Sequence, residues 1–198
     1  MNIPVGNGVL AAQGGMNSQG DLDIQFAARD MDVSWIPSVL NKKDVKIGGT
    51  LTAGVYLSGN KTKPVADISI GVDHPSYGDI SFDDFSLMAN MSDNVFTLQN
   101  ALITRDAYKA SMKGTIPGAM FGLPVVSDVP IDLDINLDHA DMNILALFSK
   151  AVTSANGPIK GHLKVTGAYN DPMIFGGVTI KDGSFTLATM SEPISRST

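Results

Sequence analysis

Cysteine is absent from all 198 residues, which excludes disulfides, thiolate metal sites and a cysteine nucleophile. Such a chain suits a reducing cytoplasm and a bacterial periplasm equally. Basic residues are outnumbered, with Lys+Arg 14 against Asp+Glu 20, a net charge of -6 and a pI near 4.8. No basic field exists to hold a phosphate backbone, so nucleic acid is not an expected partner. Long apolar runs are missing too: the longest helical one, Ile144 to Phe148, falls far short of the ~20 residues a membrane-spanning helix needs. The opening Met1-Asn2-Ile3-Pro4 has no basic or apolar leader character. The expectation is a cytosolic protein or a piece of a larger one. Aromatics make only 7% with a single tryptophan, Trp35, which argues against a carbohydrate-binding face. Porin-type girdles are likewise missing, and Pro117, Pro124, Pro130 and Pro158 interrupt the strands that would carry them.

Recognisable catalytic text is also lacking, and the expectation is a protein that is not an enzyme and carries no cofactor. His74, His139 and His162 are scattered without the paired spacing of a zinc site. Gly6-Asn7-Gly8 meets neither the Walker nor the dinucleotide pattern. No G-x-S-x-G elbow appears, and Ser184 sits in an alternating run with no evident base. Asp132, Asp134, Asn136 and Asp138 share one strand face, but the central glycine and terminal glutamate of a calcium loop are absent. A solvated strand face is the expected reading.

What the chain does contain is strand text. Charged residues make only 17%, and 20 glycines and 10 prolines are dispersed throughout. Apolar and polar residues alternate with period two at Leu22, Ile24 and Phe26, and again at Leu133, Ile135 and Leu137 between four polar neighbours. Ile68-Ile70-Val72, Phe85-Leu87-Ala89-Met91, Leu163-Val165, Val178-Ile180 and Phe185-Leu187 repeat the pattern. About a dozen strands are expected, joined at Asp93-Asn94, at Asn170-Asp171-Pro172 and by a tight hairpin at Asp182-Gly183. An antiparallel meander follows. Two stretches depart from the period. Ile144, Leu147, Phe148 and Ala151 predict a short amphipathic helix over 141–152, capped by Asp141 and closed at Asn156-Gly157, and 34–40 predicts one or two helical turns.

An internal repeat organises the chain. Asp21-Leu22-Asp23-Ile24 aligns with Asp132-Leu133-Asp134-Ile135, and without a gap Asp30-Met31-Asp32-Val33 falls on Asp141-Met142-Asn143-Ile144. Further on, Gly49-Thr50-Leu51 matches Gly161-His162-Leu163, and Gly59 and Pro64 match Gly167 and Pro172. The expectation is one β-rich segment over 1–198, with repeat units at roughly 15–75 and 126–190 and a strand-pair region at 76–125 between them. So little helix leaves the apolar side of such a sheet either folded on itself or partly open. An open strip about ten strands long, on the order of 45 Å, suits long apolar molecules.

Gly157-Pro158-Ile159-Lys160-Gly161 through Gly167, then Asn170-Asp171-Pro172, then Gly177 through Gly183-Ser184-Phe185, resembles the signature of the TamB branch of the AsmA-like proteins. Leu137 to Met142 and Arg105 to Pro117 resemble, respectively, the strand-to-helix linker and the intervening strand pair of that family. The resemblance implies a mainly β fold: an elongated, curved antiparallel sheet forming a U-shaped, taco-like groove with one or two short helices. It further implies a periplasmic segment of an inner-membrane-anchored protein in a diderm bacterium. Such a segment would carry phospholipid toward the outer membrane beside an Omp85-type (TamA-like) barrel. An alternative places function at a strand edge that pairs with that barrel to assist outer-membrane protein or autotransporter assembly. The candidate groove lining is Leu22, Ile24, Phe26, Leu133, Ile135, Leu137, Leu163, Val165, Val178, Ile180, Phe185 and Leu187; no catalytic or metal-ligating residue is assigned.

Overall fold

The computed structural model describes residues 1–5, 7–35, 37, 46–78, 80–124, 129–141, 152–180, 184–187 and 194–195. The protein is mainly β, built on an elongated, curved antiparallel sheet of twelve strands that does not close into a barrel. Along the sheet run β1 (Asn2–Val5), β2 (Gly8–Met16), β3 (Leu22–Asp32), β4 (Ile47–Asn60), β5 (Lys63–Tyr77) and, past β6, β7 (Asp84–Ser92) and β8 (Val95–Arg105). The order continues through β9 (Tyr108–Pro117), β10 (Ile131–Asp141), β12 (Pro158–Ala168) and β13 (Asp171–Ile180). β6 (Ile80–Ser81) is a short addition to β5. This is the expected meander: along the main path the strands follow chain order and each pairs antiparallel with its neighbours. Between β7 and β8 the turn residues Asp93 and Asn94 have φ of 48° and 57°. Paired left-handed residues make the type I′ turn that matches strand twist, and Asp and Asn tolerate it best among residues with a Cβ.

Several expectations are corrected. Asp141, the expected helix cap, is the last residue of β10, opposite Pro158 of β12. Val152–Asn156, expected to end that helix, forms strand β11. The body of the predicted helix, 142–151, lies outside the described residues, as does most of the 34–40 stretch. A short 3-10 helix does occur, at Gly118–Phe121, where no helical period announced one. The turn after β12 uses Tyr169 and Asn170, so Asp171 and Pro172 already belong to β13; a proline is tolerated at the start of an edge strand. Nor do the strands flanking Asp182-Gly183 form a hairpin. β13 stays in the large sheet, while β14 (Ser184–Leu187) joins β11 and β15 (Ile194–Ser195) in a separate three-stranded sheet. Residues 182 and 183 themselves lie outside the described residues.

Curvature has local causes. Bulges, where two residues on one strand face one on its neighbour, fall at residues 29–30 of β3, 99–100 of β8 and 138–139 of β10, and each adds bend and twist. Gly114 at φ 131° and Gly176 at φ 119° occupy backbone conformations that L side chains rarely adopt, and a Cβ on either would run into the carbonyl of the facing strand. They let the sheet approach its neighbour where it bends.

Candidate functional site

Antiparallel register brings directly opposed residues to the same side of a sheet. One line of opposed residues crosses all eleven strands of the main path: Ile3, Leu10, Ala28, Ala53, Ile70, Leu87, Ala101, Met112, Ile135, Leu163 and Gly176. A second line beside it runs Ala12, Phe26, Val55, Ile68, Ala89, Leu98, Gly114, Leu133, Val165 and Ile174. Two shorter lines flank these. One runs from Met31 through Leu51, Val72, Phe85, Ile103, Ala110, Leu137 and Gly161 to Val178. The other runs from Gly14 through Ile24, Leu57, Ala66, Met91 and Phe96 to Ile116. Every position in the four lines is apolar or glycine. The result is an uninterrupted apolar strip on the order of 50 Å along the sheet and about 20 Å across.

The opposite face is polar over most of its length. Gln13, Gln25, Tyr56, Asp67, Asn90, Thr97, Thr115, Asp132 and Thr166 form one cross-strand line there. Three aspartates of β10 pair across the ladder: Asp132 with Lys164 at 3.0 Å, Asp138 with Lys160 at 3.6 Å, and Asp134 with His162. The His162 hydrogen bond holds the Asp134 carboxyl below its ordinary pKa, helped by the positive charges of Lys113 and Lys164. These carboxylates are committed to cross-strand pairing, and among the described residues no cluster of three or more His, Asp or Glu is arranged to hold a metal.

Among the described residues the apolar face keeps partly exposed side chains along its length. A closed core would bury its largest side chains, yet Val55, Ile68, Ile70, Leu87, Ile135 and Leu163 all remain partly exposed. The buried apolar residues include six alanines, Ala28, Ala66, Ala89, Ala101, Ala110 and Ala140. Small side chains shaded by taller neighbours within one layer account for that pattern. Among the described residues Ile159 is the fully buried large side chain, in a small cluster with Ala110, Leu137 and Ala140 against which Ile103, Ile135 and Leu163 pack.

Of the twelve candidate lining residues, Leu22, Ile24, Phe26, Leu133, Ile135, Leu137, Leu163, Val165, Val178 and Ile180 stand on this one apolar face. Leu137 is buried, whereas Phe26, Val178 and Ile180 are exposed. Phe185 and Leu187 lie on β14 in the separate small sheet, and their side chains fall outside the described residues. The reading by alternation missed the central stretch of the face: Leu51 to Leu57 on β4, Leu98 to Ile103 on β8, and Ala110 and Met112 on β9. Glycines and alanines dilute the alternation in β4, and the bulge at 99–100 reverses its phase midway along β8. Comparison with known protein families, with curated proteins and with solved structures finds no match for the chain.

Proposed function

We propose that this chain is a segment of a TamB-like bridge in the periplasm of a diderm bacterium, and that it carries the acyl chains of phospholipid along the apolar face of its sheet. The observation supporting this reading is the four-line strip, which crosses the sheet with no hydrogen-bonding side chain in it. Each methylene leaving water gains about 0.8 kcal/mol on such a surface, but the bilayer provides the same gain. Transfer between the two is therefore nearly neutral, and a strip without polar anchors lets a chain slide where a deep pocket would hold it. The inner-membrane anchor and the Omp85-type partner belong to this proposal through the family resemblance alone.

The two sides of one strand give the test. A photocrosslinker at Ile135, on the apolar face, should label phospholipid strongly, while one at Asp134, on the polar face beside it, should not. Equal labelling at both positions sinks the proposal. Ile135→Asp in a full-length protein should block lipid transport with strand content retained, since a carboxylate in the strip interrupts it.

A second reading has its own observation. β13 leaves one edge unpaired among the described strands, is ten residues long, and exposes apolar side chains on both faces, Met173 and Phe175 on one and Ile174 and Val178 on the other. Such an edge suits pairing with a strand of an outer-membrane barrel. Amide exchange in 171–180 should slow on adding the barrel; unchanged exchange argues against strand addition.

A further inference from the structure

Along the side of the sheet where β9 ends and β10 begins, most turns are polar. The 60–63 turn carries Lys61 and Lys63, with Lys63 reaching Asp93 at 4.0 Å, and Asp21 is held by the side chains of Asn17 and Asn60. The connector from β9 to β10 differs. Residues 114–127 contain no charged side chain, and in the 3-10 helix Gly118–Phe121 that opens the connector Met120 is 49% and Phe121 63% exposed. Both feet of this loop are fixed. The Gly118 amide donates to the Asn94 carbonyl at 2.6 Å, the Asn94 side-chain amide donates to the Pro124 carbonyl at 2.9 Å, and the Leu123 amide donates to the Gly118 carbonyl at 3.1 Å. A Cβ on residue 118 would stand 2.5 Å from the Asn94 carbonyl, so only glycine lets the foot sit there. The tip also joins the strip: the Phe121 ring meets Phe96 edge-on with centroids 5.1 Å apart, and Phe96 lies between Met91 and Ile116 in one of the flanking apolar lines.

We propose that the 118–124 loop is a bilayer-docking tip, which sets Met120 and Phe121 among the acyl chains of a membrane surface. Three points support this. Apolar side chains held out in water mark a contact with a membrane or a protein, and a loop pinned at both feet loses little freedom when it makes that contact. The tip is small: two side chains offer roughly 300 Å², whereas a stable protein interface buries about 800 Å² from each partner. A bilayer sets no such minimum, because each side chain partitions by itself. Charge points the same way. The chain carries a net charge of -6, and Lys61 and Lys63 stand near Asp21 and Asp93, so attraction to the surface is apolar and a neutral bilayer suits it at least as well as an anionic one. Docking of the tip is independent of the lipid reading above; the passage of acyl chains from the bilayer over Phe121 and Phe96 onto the strip rests on that reading.

The test is flotation of the full chain with vesicles of dioleoylphosphatidylcholine. The wild type should float with them, at low and high salt alike, and no worse than with vesicles containing dioleoylphosphatidylglycerol. Met120→Ser combined with Phe121→Ser should lower the partition about tenfold or more. Met88→Ser, which removes a 54% exposed side chain from the polar face, should leave it nearly unchanged. A second readout decides the matter should the serine pair disturb the fold: a Phe121→Trp chain should be quenched by vesicles of brominated phosphatidylcholine, while Trp35 of the wild type, past the far end of β3, should not. Flotation unaffected by the serine pair, or no quenching at 121, overturns the tip. So does flotation that needs phosphatidylglycerol and vanishes in salt, which marks a surface held by charge. Self-association lost in the serine pair, without flotation of the wild type, marks a protein contact and overturns it as well. In each of these cases lipid crosslinking at Ile135 leaves the strip reading standing, whereas tip-dependent flotation without that crosslink keeps the tip and removes the strip reading.

Discussion

Asp134 and Ile135 are consecutive residues with opposite tasks. Strand geometry turns one to water and the other to the apolar strip, and their partners differ to match: His162 and two lysines around the carboxylate, Met112 and Leu163 opposite the isoleucine. The depressed Asp134 pKa has a definite consequence. A carboxylate whose folded pKa lies below its unfolded value adds stability that is present at neutral pH and is lost as pH falls below about 4, through the folded value. His162→Ala removes the principal cause, so the Asp134 carbon resonance should titrate at a higher pH, toward the ordinary carboxylate range. Because the pair is exposed and screened, the thermal midpoint at pH 7 should hardly move. An unchanged Asp134 titration contradicts the cross-strand pairing.

Strands here are specified by alternation and shaped by its interruptions. Gly114 and Gly15 look alike in the sequence, yet a Cβ at Gly114 meets the Asp132 carbonyl at a positive φ of 131°, while a Cβ at Gly15 meets nothing within 4 Å. Gly114→Ala should therefore cost about 1–3 kcal/mol, and Gly15→Ala should be neutral or slightly stabilising; urea denaturation with an unchanged slope distinguishes the two. Bulges also set how the repeat appears. Sequence identity pairs Asp30 with Asp141, whereas the bulges pair Asp30 with His139, the left-handed residues of β3 and β10 at φ 51° and 52°. The two alignments differ by two residues, which preserves the face and moves only the position along the strand.

The twelve-stranded sheet has an apolar side and, among the described strands, two unlike edges. Apolar side chains stay partly exposed along that face, as on surfaces that bind apolar partners. The native protein should accordingly enhance the fluorescence of an anilinonaphthalene dye, and oleate should displace the dye; dye binding only after unfolding would mean the face is closed. The edges behave differently because β1 is four residues long and contains Pro4, whereas β13 is ten residues long and uncharged after Asp171. Phe175→Lys on β13 should reduce concentration-dependent association in sedimentation while leaving strand content unchanged.

Strand identity, the meander and the one-sided grease were legible in the sequence because period two is a local property, written in each run from Leu22 to Ile180 without reference to any other. Much of the candidate lining was legible for the same reason. Two things required the folded chain: that four lines of opposed residues join into one strip, and that β14 leaves the large sheet. Each depends on register between strands and on bulges that shift it, and register is an agreement between distant segments that neither segment carries alone.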